Sequence, residues 1–242
     1  AAGVCGRVHC PDAPSPPRIP LGAVGGANGY VQGKWVSERL MENCNELAFS
    51  AGSPARYSIM RPGAITGHSK TGCCNIGDSI NRYVIGFTLL GVAPPLPDMA
   101  VQVDQSPVDW VAAAMAGCAI EDVALGGGKD GATPCYTVDN GESMTYPALL
   151  EALGLPVADT YADWLATLQK ALDDEAADST KLPNPLGGLL GALKAGAPKF
   201  GSTGSKAHMK MFADRGFPSP KVDKTLEDVY LARFVKEKQL PA

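Results

Sequence analysis

From residue 28 the chain reads NGYVQGKWVSERLMENCNELAFSAG, and its apolar positions fall into a helical period. Val36, Leu40, Cys44 and Leu47 recur at near-helical spacing, with Glu38, Arg39, Glu42 and Glu46 between them. This is the pattern of an amphipathic helix that turns its apolar stripe, Cys44 included, toward a core. Gly52 offers a C-cap, and Gly33 weakens the first turn. The period then changes. In ARYSIMRPG, residues 55–63, Tyr57 to Met60 form a short strand-like run stopped by Pro62-Gly63. A helix, a short strand and then a loop is the grammar of α/β units, so a parallel sheet is expected. The polar, glycine-dotted loop that follows has the character of a ligand-binding loop at the end of a parallel strand.

Helices are next expected over DSINRYVIGFTLLG and SPVDWVAAAMAGCAIED, the second with Ser106 as N-cap and Pro107 at its first position. CYTVD reads as a strand. YPALLEALG, TYADWLATLQKALDDEAAD, a glycine-weakened PLGGLLGALKAG and KTLEDVYLARFVKEKQL read as helices, so the last hundred or so residues are mainly helical. Tyr161, Trp164, Leu165 and Leu168 form one stripe. Residues 1–29 are rich in glycine and proline and read as loop. Neither AVGGANG nor GGGKDGAT matches a dinucleotide or phosphate-loop spacing, and both read as plain loops.

Composition narrows the function classes. The 242 residues are 45% hydrophobic and 19% charged, as in ordinary globular proteins. The net charge of -4 argues against nucleic acid as a main partner. No apolar run is long enough to span a bilayer, and no signal-peptide pattern stands at the N-terminus. The seven cysteines are odd in number and irregularly spaced, without a C-x-x-C pair, and the three histidines are scattered. A zinc site is not expected, and reduced thiols in a cytoplasmic setting fit the pattern.

One pair carries candidate chemistry. Tyr30 and Lys34 stand four apart, on one face of the first long helix. A phenol near pKa 10 is a poor acid at neutral pH. A neighbouring ammonium stabilises the phenolate, so Tyr-x-x-x-Lys on a helix makes a general acid for a carbonyl oxygen. The competing reading is two side chains that snorkel at a surface.

Three blocks together, GYVQGKWVSERL, YSIMRPGAITGHSKTGCCNIGDSINRYVIG and QSPVDWVAAAMA, resemble the terminal thioester reductase domains of the extended short-chain dehydrogenase/reductase superfamily. Such domains close nonribosomal peptide synthetases and some polyketide synthases, and occur in carboxylic acid reductases and aminoadipate reductase. The resemblance runs from about residue 28 to the C-terminus. It implies an α/β fold: residues 30–140 as the C-terminal part of a Rossmann-type domain, and residues 141–242 as a smaller, mainly helical substrate domain facing a carrier protein. It implies reduction by NADPH of an acyl thioester, held on the phosphopantetheine arm of an acyl or peptidyl carrier protein, to an aldehyde, which a second round can take to the alcohol.

By the same resemblance Tyr30 is the proton donor, and Lys34 supports it and binds the nicotinamide ribose. Pro62, Gly63 and Ile65 line the nicotinamide. Ser69, Thr71, Gly72, Asn75 and Asp78 form a loop for substrate or cofactor contact, in which Asn75 equally suits a cap on the next helix. Pro107, Val108 and Asp109 match a further motif that reads as a helix start.

The chain also departs from the family. It has no glycine-rich nucleotide loop upstream of Tyr30, no upstream Ser or Thr beyond Ser15 in a proline-rich stretch, and glycine at 33 where the family often has serine. These departures mark it as the C-terminal part of a longer protein, with a sheet edge left to be paired. They also keep other readings open: a missing half supplied by another chain, an extended short-chain reductase for sugar nucleotides or free aldehydes, and a non-catalytic module that docks a carrier protein or partner subunit.

Overall fold

A computed structural model of the chain describes residues 21–24, 29–125, 133–201 and 206–241. Its elements run, in chain order, α1 (Leu21–Val24), α2 (Gly29–Ser50), β1 (Ile59–Pro62), β2 (Ile65–Thr66), α3 (Ser79–Leu90), β3 (Ser106–Pro107), α4 (Val108–Leu125), β4 (Cys135–Val138), α5 (Tyr146–Leu153), α6 (Tyr161–Ala177), a 3-10 turn (Pro185–Leu189), α7 (Leu190–Ala195), α8 (Lys206–Asp214) and α9 (Lys224–Lys236). Ser15 and most of GGGKDGAT lie outside the described residues. Within the segment expected to be loop, Leu21–Val24 forms a helical turn, which buries Val24.

The chain alternates between two compact units instead of dividing once after residue 140. The first holds residues up to 65, 109–142 and 202–220; the second holds 66–108, 143–201 and 221–242. Contacts distant in sequence decide this membership, and local periodicity does not report them.

In the first unit β1 and β4 pair in parallel, from Ile59 opposite Cys135 to Pro62 opposite Val138. All four residues of β4 are buried, as expected of a strand covered on both faces. Trp110, Val111, Ala114 and Cys118 of α4 pack with Tyr136, Val138 and Phe212 in one apolar cluster. Phe212 belongs to α8, a helix without an expectation from the sequence. It is held to β4 by His208, whose Nδ1 accepts the Thr137 N–H at 3.0 Å.

α2 forms where expected but is turned around. Val36, Leu40 and Leu47 are 48%, 55% and 70% exposed, and Cys44 is half-buried. The inward positions are Val31, Glu38 and Asn45, seven apart and so on one face. Glu38 meets Arg61 there, and Asn45 Oδ1 accepts the Tyr57 N–H. Specific polar bonds, not the apolar stripe, set the rotation of this helix.

In the second unit Asp78 caps α3, accepting the Ile80 N–H, and Gly91 ends it at φ 67°. α3 buries Ile80, Val84, Ile85 and Phe87. A Cβ on Gly86 would lie 2.3 Å from Leu186, so glycine lets these elements meet. Phe87 stacks edge-on against Trp164, which with Leu168 is fully buried. Ser106 and Pro107 do not begin α4. They form β3, which pairs with β2, and the Ser106 hydroxyl bonds Asp104. The Val108 N–H, freed at the start of the helix, reaches the Gly67 carbonyl at 3.4 Å.

α9 buries Leu226, Tyr230 and Phe234 and, among them, Glu227, which is 0% exposed. Gln105 Nε2 donates to Glu227 Oε1 at 2.6 Å. Burial pushes the Glu227 carboxyl up to about 7, against the downward pull of this bond. A group raised in the native state keeps its proton there after the unfolded chain has released it. Its stabilising contribution is therefore complete at the acid end and falls as pH climbs from 4.5, its ordinary value, to about 7. Relative to wild type, Glu227→Gln should gain on the order of 2 kcal/mol between pH 5 and 8 in urea denaturation. A difference that does not change with pH would remove Glu227 from the linkage.

Candidate functional site

Tyr30 and Lys34 stand at the N-terminal end of α2, and the Lys34 ammonium lies 5.5 Å from the centroid of the Tyr30 ring. The two groups therefore share a face, in cation–π range. Both are exposed, Tyr30 by 64%. Phenol hydroxyl and ammonium side by side are donors suited to a carbonyl oxygen or a sugar hydroxyl. A Cβ on Gly33 would meet nothing within 4 Å, so the serine common at this position in the resembling family has room.

One turn beyond Lys34, Glu38 is 5% exposed and takes both carboxylate oxygens to Arg61, at 2.9 Å from Nε and 2.8 Å from Nη2. Arg61 is the third residue of β1 and is 2% exposed. This bidentate pair ties the Tyr-Lys helix to the strand that delivers Pro62 and Gly63. The Ile59 N–H donates to the Pro134 carbonyl, just before β4, at 2.8 Å, and the Gly63 N–H to the Val138 carbonyl of β4 at 3.0 Å. In a parallel ladder the donors alternate, so Pro62 sits where its missing N–H takes no bond from the pair. Ile65 packs against the cluster around Trp110. Tyr30, Lys34, Pro62, Gly63 and Ile65 thus all belong to the first unit.

Ser69, Thr71, Gly72 and Asn75 belong to the second unit, in the loop between β2 and α3. Tyr230 organises this loop: its hydroxyl donates to the Gly67 carbonyl at 2.9 Å and lies 3.0 Å from Thr66 Oγ1. A Cβ on Gly67 would come within 2.7 Å of the Tyr230 ring. Gly72 has φ +66°, and a Cβ there would lie 2.7 Å from Arg233 and from the Val229 carbonyl. Both glycines are needed for the close approach to α9. Thr71 Oγ1 accepts the Cys73 N–H. Asn75 does not cap α3. Its side chain accepts the Gly77 N–H at 3.1 Å, its carbonyl receives Asp78 N–H and Asn81 Nδ2, and the cap is Asp78. Ser69 is half-buried, while Thr71 and Asn75 are exposed.

Glu38, Arg61 and Tyr230 were not among the residues singled out from sequence. Glu38 does carry a signal, since it continues the Tyr30, Lys34 row by another four. Arg61 and Tyr230 offer none that separates them from ordinary strand and helix residues.

Residues 20–115 match an NAD-binding family described as male sterility protein. A non-canonical nonribosomal peptide synthetase of Aspergillus hancockii, hkm10, is 28% identical over 147 residues, 60% of this chain and 14% of that one. The non-canonical nonribosomal peptide synthetase FrzA of Cladobotryum sp is 31% identical over 169 residues, 67% of this chain and 15% of that one. Among solved structures, the terminal R domain from the myxalamid PKS-NRPS biosynthetic pathway superposes with a TM-score of 0.70 at 27% identity, covering 95% of this chain and 55% of that domain. The chain therefore spans a small part of the synthetases it matches and about half of the R domain. The α/β architecture is that of the Rossmann-like R domains, as expected from the sequence. No helix among the described residues is long and apolar enough to cross a membrane.

The Glu38–Arg61 pair is open to direct test. Glu38→Ala should cost about 3–5 kcal/mol in urea denaturation, because removing one partner leaves a buried charge without its counterion. A Glu38→Leu, Arg61→Met double variant should recover most of that loss. A single-variant loss below about 1 kcal/mol is the behaviour of an exposed pair and would contradict this burial.

Proposed function

Because the chain belongs to the terminal reductase-domain family of the extended short-chain dehydrogenase/reductases, and so to the oxidoreductases, we propose that it supplies the proton-transfer half of a reductase for acyl thioesters carried on a phosphopantetheine arm. The observation that supports this is the exposed Tyr30 and Lys34 pair on a helix locked to β1 by Glu38 and Arg61. The family's nicotinamide cofactor, in our reading NADPH, supplies the hydride when bound.

Lys34 would hold the cofactor ribose, and Pro62 and Gly63 would line the nicotinamide. Tyr30 donates its phenolic proton to the oxygen of the thioester carbonyl as the carbonyl carbon is reduced. Breaking the carbon–sulfur bond then releases the phosphopantetheine thiol and leaves an aldehyde. Lys34, one turn from Tyr30, stands beside the ring as a second donor. Ser69, Thr71 and Asn75 contact substrate or cofactor, and an acyl or peptidyl carrier protein is the partner.

In the protein, Tyr30→Phe should lower turnover of an acyl-pantetheine thioester with NADPH by about 10²–10⁴-fold, the usual range for a general acid. Its stability should hardly change, since the ring is 64% exposed. Lys34→Ala should weaken NADPH binding in calorimetry. Unchanged turnover in the Tyr30 variant removes it from the chemistry. Turnover of free aldehydes or nucleotide sugars alone replaces this substrate class with another of the superfamily.

A further inference from the structure

The loop between β2 and α3 carries two adjacent cysteines, Cys73 and Cys74, that the reductase chemistry does not use. Cys73 is exposed and Cys74 half-buried, whereas Cys118 and Cys135 are buried. Each side of the pair is anchored. Upstream, Gly72 lies against α9 without room for a Cβ, and the Cys73 carbonyl accepts the His68 N–H at 2.9 Å. Downstream, the Asn75 carbonyl holds Asp78, the cap of α3, and Asn81.

We propose that Cys73 and Cys74 form a thiol modification site at which a low-molecular-weight disulfide closes a bond between the neighbouring sulfurs. The exposed Cys73 thiolate attacks one sulfur of the reagent, forming a mixed disulfide and expelling the first thiolate. The Cys74 thiolate then attacks the Cys73 sulfur and expels the second. Two protein thiols are oxidised, the reagent is reduced to two thiols, and the two protons pass to water or to the departing thiolates. Burial pushes the Cys74 thiol up, with the neighbouring Cys73 adding to the effect, so Cys74 is the poorer attacker of an external reagent and the exposed Cys73 meets it first.

Adjacent Cα atoms lie about 3.8 Å apart across a trans peptide, below the roughly 4.4–6.8 Å usual for a disulfide. Closing the ring therefore distorts the Cys73–Cys74 peptide. A strained, accessible disulfide is of the readily reduced kind. Because the loop is pinned at Gly72 and at Asn75, the distortion reaches the capped start of α3. The site goes beyond the reductase reading and is read out without any turnover.

Trypsin cleavage after Lys70 and Arg82 isolates a peptide that contains Cys73 and Cys74 and no other cysteine. After treatment of the native protein with oxidised glutathione, this peptide should be two hydrogens lighter and refuse alkylation. Dithiothreitol should restore both thiols. Cys74→Ser should instead accumulate a glutathione adduct on Cys73, and amide exchange over residues 75–80 should quicken in oxidised wild type only. Three outcomes overturn the proposal: both thiols stay alkylatable, a persistent adduct remains on Cys73 of the wild type, or exchange over 75–80 does not change on closure.

Discussion

The buried pair of Glu38 and Arg61 sets the geometry of the first unit. Both side chains are almost fully enclosed, 6% and 2% exposed. Two parallel bonds fix both the distance and the roll of α2 against β1 in a way that apolar contacts do not, because apolar contacts are nondirectional. An ion pair of this kind adds little net stability over a well-packed apolar pair, since both charges give up hydration. Its consequence is orientation. With Glu38 inward, the helix that carries Tyr30 and Lys34 on its preceding turns is anchored to the strand in which Pro62 and Gly63 follow Arg61 directly. The Tyr30 phenol sits on a helix fixed by a salt bridge two turns away, and its own surroundings stay open.

The sequence announced the elements of this fold better than their faces. Helices form over DSINRYVIGFTLLG, YPALLEALG and TYADWLATLQKALDDEAAD, as their periods lead one to expect, and Asp78, Gly91, Gly154 and Thr160 cap them. Trp164 and Leu168 lie in a helical stripe and are buried. α2 failed the same logic because hydrophobic periodicity assumes that burial follows polarity. There the buried positions include a carboxylate and an amide, each satisfied by a partner from a separate stretch of chain. Such partnerships leave no periodic trace. Ser106 and Pro107 misled for a related reason. They make a good helix start in isolation, but pairing with β2 satisfies the backbone another way. α8 escaped notice because two buried residues, His208 and Phe212, are too weak a stripe to stand out.

The division into units was illegible for the same physical reason. Thr66–Val108 joins the second unit through α3, whose apolar face needs Leu186 and Trp164, far along the chain. The β1–β4 pair likewise forms only when a strand more than seventy residues downstream comes alongside. Composition and spacing record what each segment wants to bury, and they are silent on which partner buries it.

The motif most recognisable in sequence, SKTGCCNIGD, also looks different once its bonds are known. Gly72 is required by the approach of α9, Asn75 by the turn to Gly77, and Asp78 by the start of α3. Three of its most distinctive positions are thus explained by the shape of the loop alone. A pattern of this kind can be specific without each member touching a ligand, because a tightly bent loop has few sequence solutions. Tyr230 holds the loop backbone from a helix more than 150 residues away, through a hydroxyl that bonds Gly67 and a ring that leaves no space for anything larger. The loop is therefore as dependent on α9 as the Tyr-Lys pair is on Glu38 and Arg61. In each unit a long-range polar contact sets the pose of a local motif.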